Sequence, residues 1–395
     1  MTALPSRAPL VERGDVARRV KVSRGCLGAE ELEAVRGAFE YGYFGLAHLV
    51  FEFEQALRDY LGAPEVVAVS SGTAALHVAL DALGVGAGDE VIVPSLTFVA
   101  AFQAIAATGA RPVPCDVEPE TLLPDLDHVD ALITARTKAV MPVHYAGSVC
   151  DPERLAALRA RHGVRIVEDA AHAFGATCRG RRVGSRGDVI CFSFDSIKNI
   201  TCGEGGAVAC HDASLARVVR QKRALGVDRA RGAGAASRGA DWRFDVVTRG
   251  YRYHMSNINA AIGLAQLRKV EAFLARRRAI CRRYDRAFAA IDGLRPLRVD
   301  YDEAAPHIYV VRVAAGRRDA LMEHLAEAGI ETGINYIPNH LHPLFSDPAV
   351  RLPHTEAAFG EILTLPLHCA LSDEDVDRVI ERVASFFGAG REVPL

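Results

Sequence analysis

The stretch EVVAVSSGTAALHVALDALG, Glu65 to Gly84, contains a short β-branched run, a turn of small hydroxyl residues and a helix-forming run that stops at glycine. Glu65 to Val69 reads as a strand and Thr73 to Leu83 as a helix ended by Gly84, which together make one strand-turn-helix unit. Working outward, the same alternation recurs. Glu90 to Val93, Pro112 to Asp116, Ala139 to Val143, Arg165 to Val167, Val189 to Phe194 and Ala207 to Cys210 are short, apolar and bounded by Gly, Pro or Asp, and Pro152 to His162 forms a helix with a Gly163 stop. Near-continuous apolar strands alternating with helices predict an α/β fold, a mostly parallel sheet covered on both faces. Its ligand should sit at the carboxyl ends of the strands.

The bulk of the chain narrows the function classes. At 395 residues it suits two lobes rather than one small core. With 47 Lys+Arg against 49 Asp+Glu, the net charge of -2 offers no field for nucleic acid or an anionic membrane. Met1 to Val20 interleaves Pro5, Arg7, Glu12, Arg13, Asp15, Arg18 and Arg19 with isolated apolar residues, so it lacks the apolar core of a signal peptide. No apolar run approaches the ~20 residues that span a bilayer, and a cytoplasmic protein is expected. The nine cysteines form no C-x-x-C pair, which predicts reduced thiols and no zinc site.

Arg231 to Ala240, rich in Gly and Ala, reads as a mobile loop, and Trp242 follows it. Ser256 can cap a long helix with apolar residues from Ile258 to Ile291, ending at Gly293. As one rod of over thirty residues at ~1.5 Å each it would reach about 50 Å, enough to cross between lobes. Its Arg276-Arg277-Arg278 and Arg282-Arg283 clusters read as a solvated face. Beyond it, strand His307 to Val313, helix Arg317 to Ala328, strand Gly333 to Tyr336 and helix Asp373 to Phe387 suffice for a small α+β domain. The expected organisation is an N-terminal arm at 1–25, a large domain at 26–255, the long helix at 256–292 and a small C-terminal domain at 293–395.

Three places carry chemistry. Lys198 lies between an apolar strand and the glycine-rich turn Gly203-Glu204-Gly205-Gly206. It is either a surface loop lysine or a Schiff-base lysine whose amine is activated by desolvation. Ser70-Ser71-Gly72-Thr73 opens a helix, so it is either an ordinary N-cap or a phosphate site built on the helix's orphan N–H groups. No Walker or dinucleotide motif accompanies it, so such a phosphate would belong to neither ATP nor NAD. Asp169, at the end of the strand Arg165 to Val167, could cap the next helix or hold a cationic ring nitrogen. The stretch Asn339-His340-Leu341-His342-Pro343 lacks metalloprotease spacing, and no metal is read there.

Taken in order, Ser71-Gly72-Thr73, Pro94 to Phe98, Pro142 to Gly147, Glu168 to His172, Phe192 to Lys198 with Gly203 to Gly206, and Gly250 to Asn257 resemble the pyridoxal-phosphate sugar aminotransferases of the DegT/StrS type. The resemblance covers nearly the whole chain. It implies fold type I, aspartate aminotransferase-like: a large domain on a mostly parallel seven-stranded sheet, a smaller C-terminal domain, and a homodimer whose active sites draw on both subunits. It makes Lys198 the lysine that forms the Schiff base with pyridoxal 5'-phosphate and carries the proton, and Asp169 the partner of the pyridine nitrogen. Phe98 would stack on the ring, His172 would contact its face or phenolic oxygen, and Gly72, Thr73 and Ser193 would bind the phosphate. Read singly, Phe98 could be core, Ser193 a strand hydroxyl and His172 a helix histidine. Arg252 stands where many relatives have an asparagine that reaches the partner's cofactor phosphate. It could make that contact or meet the sugar nucleotide's diphosphate.

The implied reaction transfers an amino group from L-glutamate, which leaves as 2-oxoglutarate, to a nucleotide-linked keto sugar in deoxyamino-sugar biosynthesis. Val143 to Gly147 is similar to members that aminate C4, which points to a 4-keto-6-deoxyhexose on dTDP or UDP. Tyr145, Asn199, Tyr251, His254, Tyr336 and His342 are the candidates for the sugar site, each of which could equally be structural. A C3 keto-sugar or keto-inositol substrate is the alternative. A dehydratase of this fold would carry histidine in place of Lys198, and a non-catalytic sensor would have lost Lys198 or Asp169; this chain keeps both.

Overall fold

Seven strands form one sheet: β1 (Glu65–Val69), β2 (Glu90–Pro94), β3 (Arg111–Cys115), β4 (Thr137–Val140), β5 (Arg165–Asp169), β6 (Val189–Ser193) and β7 (Gly206–Cys210), in the spatial order β1-β7-β6-β5-β4-β2-β3. The computed structural model describes residues 19–228 and 244–388, so the loop expected at Arg231 to Ala240, and Trp242, lie outside the described residues. All seven strands fall where the apolar runs put them. β4 ends early, because Val143 makes only an isolated bridge to Asp169. All neighbouring pairs are parallel except those of β7, which runs antiparallel to both β1 and β6.

Alternation along the strands splits the core in two. Val67, Val69, Val189, Cys191, Val208 and Cys210 face α3 (Gly72–Ala82), α4 (Ala100–Ala107) and α7 (Ala213–Lys222). Val66, Ala68, Ile190, Phe192, Ala207 and Ala209 face the opposite layer, with Phe53 and Leu57 of α2 (His48–Leu61) and Leu274 of α9 (Val270–Phe288). Each large apolar side chain so buried is worth about 1.5–3 kcal/mol relative to exposure.

The long helix is not continuous. Ser256 caps α8 (Asn257–Leu267), accepting from the Asn259 N–H at 3.2 Å, but the chain turns at Arg268-Lys269 before α9 begins. Side chains beside the break are drawn to the start of the first helix, Ala29–Tyr41, and the residues just before it: Gln266 donates to the Cys26 carbonyl at 2.8 Å and to Glu31 at 2.9 Å, and Lys269 pairs with Glu31. The arginine clusters of α9 are likewise not a free face. Arg277 is 2% exposed. Its Nη1 donates to the carbonyls of His307 and Leu367, both at 3.1 Å, while Arg276 and Arg278 reach the carbonyls of Leu371 and Ala304.

The second core gathers on an antiparallel sheet of β8 (Leu294–Pro296), β9 (Tyr309–Val313) and β10 (Ile362–Leu365), packed with α10 (Arg318–Glu327), α12 (Asp373–Phe386) and the later half of α9. Gly333 to Tyr336, expected as a strand, makes only a single bridge, Gly333 to Thr364. The third strand is Ile362–Leu365, which follows the helix Pro353–Glu361.

One close approach sets the geometry at the sheet's carboxyl edge. A Cβ added at Gly206 would lie 2.4 Å from the Ser71 carbonyl oxygen and 2.8 Å from the Gly72 nitrogen, so β7 presses bare backbone against the start of α3. Gly206→Ala should therefore destabilise the protein by about 1–3 kcal/mol in urea unfolding, the usual effect of overpacking. A neutral midpoint would show that the contact is slack.

Candidate active site

A cavity of about 460 Å³ opens at the carboxyl ends of the central strands. One wall is the start of α3, Ser71-Gly72-Thr73. Ser71 is the N-cap, its Oγ accepting the Ala74 N–H at 3.1 Å. A Cβ at Gly72 would come within 2.7 Å of Ser193 Cβ, so glycine lets the helix start and the end of β6 close on one another. The cradle of Gly72, Thr73 and Ser193 thus combines N-terminal N–H groups with hydroxyls, a donor set suited to an anion.

Asp169 ends β5 and is buried. Its backbone is bound on both sides to the segment after β4, N–H to Pro142 O at 2.8 Å and O from the His144 N–H at 3.0 Å. Among the described residues, its carboxylate accepts only the Ala171 N–H, at 3.0 Å. Burial raises its pKa, an effect that the Ala171 bond and the Lys198 charge only partly oppose. A buried carboxylate left with free acceptor capacity at a cavity is matched by a cationic N–H donor.

Lys198 is half-buried in a loop closed by Phe194 N–H to Gly205 O at 2.8 Å and Cys202 N–H to Phe194 O at 2.9 Å. Desolvation lowers its pKa to about 8, against the opposing pull of Asp169 and Asp195. That depression leaves a usable share of free amine near neutrality.

Aromatic rings close the cavity. Phe98 is 56% exposed although it lines the cavity, and its ring lies 5.5 Å from that of Tyr336. The segment that carries it is tied to the far lobe, since the Asn339 side chain donates to Ser95 O at 3.1 Å and to Thr97 O at 2.8 Å. Buried His172 meets the Tyr336 hydroxyl at 2.9 Å through Nε2, and burial holds its pKa well below the usual value. An exposed phenyl face and a neutral imidazole are what a flat heteroaromatic ligand would stack on.

Gly72, Thr73, Phe98, Asp169, His172, Ser193, Lys198 and Tyr336 thus share one cavity. Six of the sequence candidates do not line it. Tyr145 is buried behind it, its hydroxyl donating to the Asn335 carbonyl and its ring 6.2 Å from His172. Asn199 turns its amide to the carbonyls of Phe174 at 3.2 Å and Ala305 at 3.0 Å, a tie within the protein. Tyr251 stacks on Tyr253 with centroids 4.8 Å apart, and His254 bridges to Val69. Arg252 is exposed and bridges to Ala224, and His342 sits in a turn whose N–H binds Asn339 O at 3.1 Å.

The profile of the DegT/DnrJ/EryC1/StrS aminotransferase family matches residues 25–384. The chain belongs to that family. Among solved members, aminotransferase TlmJ from Streptoalloteichus hindustanus is 40% identical and superposes with a TM-score of 0.87 over 94% of this chain and 99% of its own. Sugar aminotransferase CalS13 from Micromonospora echinospora is 33% identical, with a TM-score of 0.86 over 93% of this chain and 99% of its own. The putative sugar aminotransferase Spr1654 from Streptococcus pneumoniae, in its PLP form, is 31% identical, with a TM-score of 0.85 over 96% of this chain and all of its own.

This DegT/DnrJ/EryC1/StrS aminotransferase also places at the site residues that the sequence did not single out. Thr97, Val143, Asp195, Glu204 and Asn335 line the cavity. His307 Nε2 lies 3.4 Å from Lys198 Nζ. His307 begins an apolar run and reads there as a strand residue; only the fold brings it to a lysine 109 positions earlier. In ligand-free protein, the reactivity of Lys198 toward an amine-directed reagent should rise with pH through a midpoint near 8. Asp169→Asn should move that midpoint lower, because the charge that favours the ammonium is gone. An upward shift would contradict the arrangement.

Proposed function

We propose that the chain is a pyridoxal-phosphate-dependent aminotransferase that moves an amino group from L-glutamate to C4 of an NDP-4-keto-6-deoxyhexose carried on dTDP or UDP, as a cytoplasmic homodimer. The observation that carries the cofactor assignment is the meeting, in one cavity, of a lysine with a depressed pKa and a buried carboxylate of unused acceptor capacity.

The donor set fits the cofactor. Gly72, Thr73 and Ser193 would hold the phosphate and Phe98 one face of the ring, with His172 at its other face or phenolic oxygen. Asp169 would keep the ring nitrogen protonated. When bound, pyridoxal phosphate supplies a carbonyl that takes up amines and a ring that accepts carbanion charge. Lys198, as free amine, would take a proton from the donor's carbon and return one to the sugar carbon, the two half-reactions of a ping-pong exchange. Tyr336 reaches the cavity and is the sugar-site candidate with the best placement. Arg252 lies outside this chain's cavity and faces solvent, a position from which it would serve a second subunit's phosphate or the substrate's diphosphate.

Lys198→Ala should lose both transamination and the visible absorbance band that the cofactor shows only when linked to the lysine, while keeping its fold by circular dichroism; an active variant would sink the assignment. For the substrate, dTDP-4-keto-6-deoxyglucose should be aminated at least about tenfold faster than its 3-keto isomer or a keto-inositol, with the product identified by NMR. Preference for either of the others would move the assignment to that ketone.

A further inference from the structure

The amine of Lys198 has one side-chain hydrogen-bond partner among the described residues, His307 Nε2 at 3.4 Å. An ammonium can only donate, so the contact requires a lone pair on Nε2 and a proton on Nδ1. That Nδ1 is buried without a partner among the described residues, an unusual condition for a histidine.

We infer that His307 is a positioning residue for Lys198, its Nε2 accepting from the ammonium and keeping the amine at the cavity whenever it is not covalently engaged. The inference rests on the reading of Lys198 as the lysine that handles the cofactor and the proton. A free lysine side chain has about 2 kcal/mol of rotamer entropy to disperse it, and a fixed acceptor confines it. Confinement matters because a base that must reach two carbon atoms in turn works by proximity.

His307 is built to stay still. Its N–H donates to Ala146 O at 3.3 Å, its carbonyl accepts from buried Arg277 at 3.1 Å, and its ring packs on His172 with centroids 4.4 Å apart. It is also built to remain neutral. Burial, then the positive charges of Lys198 and Arg277, hold its pKa well below the ordinary value. Lys198, faced by Asp169 and Asp195, falls only to about 8. The shared proton therefore stays on lysine, so the imidazole serves as acceptor and not as base.

The test uses cofactor-free protein carrying [ε-13C]lysine. The chain's lysines are Lys21, Lys138, Lys198, Lys222 and Lys269, few enough to resolve, and Lys198→Ala assigns the signal. His307→Leu removes the acceptor and should lower the Lys198 midpoint by at least about half a pH unit, since the ammonium loses the bond that favours it. His307→Gln, which can present an oxygen at similar reach, should restore most of the shift. A wild-type midpoint in His307→Leu, or a His307→Gln variant that behaves like it, overturns the proposal. Should the leucine variant not fold, 15N shifts of the wild-type imidazole below the lysine midpoint decide: a proton on Nδ1 supports the proposal, and a proton on Nε2 overturns it. No sugar is consumed in these measurements, so their failure is distinct from failure of the substrate assignment.

Discussion

The site depends on keeping one ammonium and one carboxylate at the edge of an apolar sheet without neutralising either. Both Lys198 and Asp169 suffer from desolvation, and each eases the other. Direct, fully satisfied pairing would remove the reactivity of both, because a saturated carboxylate has no capacity for a further cation and a saturated ammonium does not give up its proton. The fold avoids that outcome by giving Asp169, among the described residues, a single backbone donor and Lys198 a neutral imidazole. The remaining electrostatic demand is directed into the cavity, where a ligand can meet it.

The backbone serves this arrangement through close approach. β7 contributes no side chain at Gly206, which allows the first turn of α3 to sit against the sheet. Gly72 does the same against Ser193. A helix N-terminus, with its orphan N–H groups, is thereby brought to the same edge as the charged pair.

Much of this was legible in the sequence because it is local. Apolar runs of three to six residues and glycine stops placed the seven strands, the turns that follow them pointed to Gly72, Asp169 and Lys198, and the family resemblance added Ser193. What was not legible depends on distant parts meeting. The histidine beside Lys198 comes from the far lobe, and nothing in Pro306-His307-Ile308 signals a polar role. Arg277 sits in a basic cluster that looks solvated, yet it is buried, with two carbonyls from that lobe accepting from its Nη1. Asn199, next to the lysine in sequence, instead braces the loop against Phe174 and Ala305. The helix from Ser256 onward has unbroken apolar periodicity, and its turn at Arg268-Lys269 accompanies contacts with residues more than two hundred positions away.

The Asn339 side chain grips Ser95 and Thr97, while its own N–H binds Ser95 O at 2.8 Å and Ser95 Oγ meets His340 Nδ1 at 2.7 Å. Phe98 is the next residue along. The aromatic wall and the 337–345 segment are consequently one mechanical part, although they come from opposite ends of the chain. Engineering by loop exchange inherits this linkage: a graft at 337–345 chosen only for the shape of its outer surface would also reset the tilt of Phe98, unless the graft keeps the amide at 339.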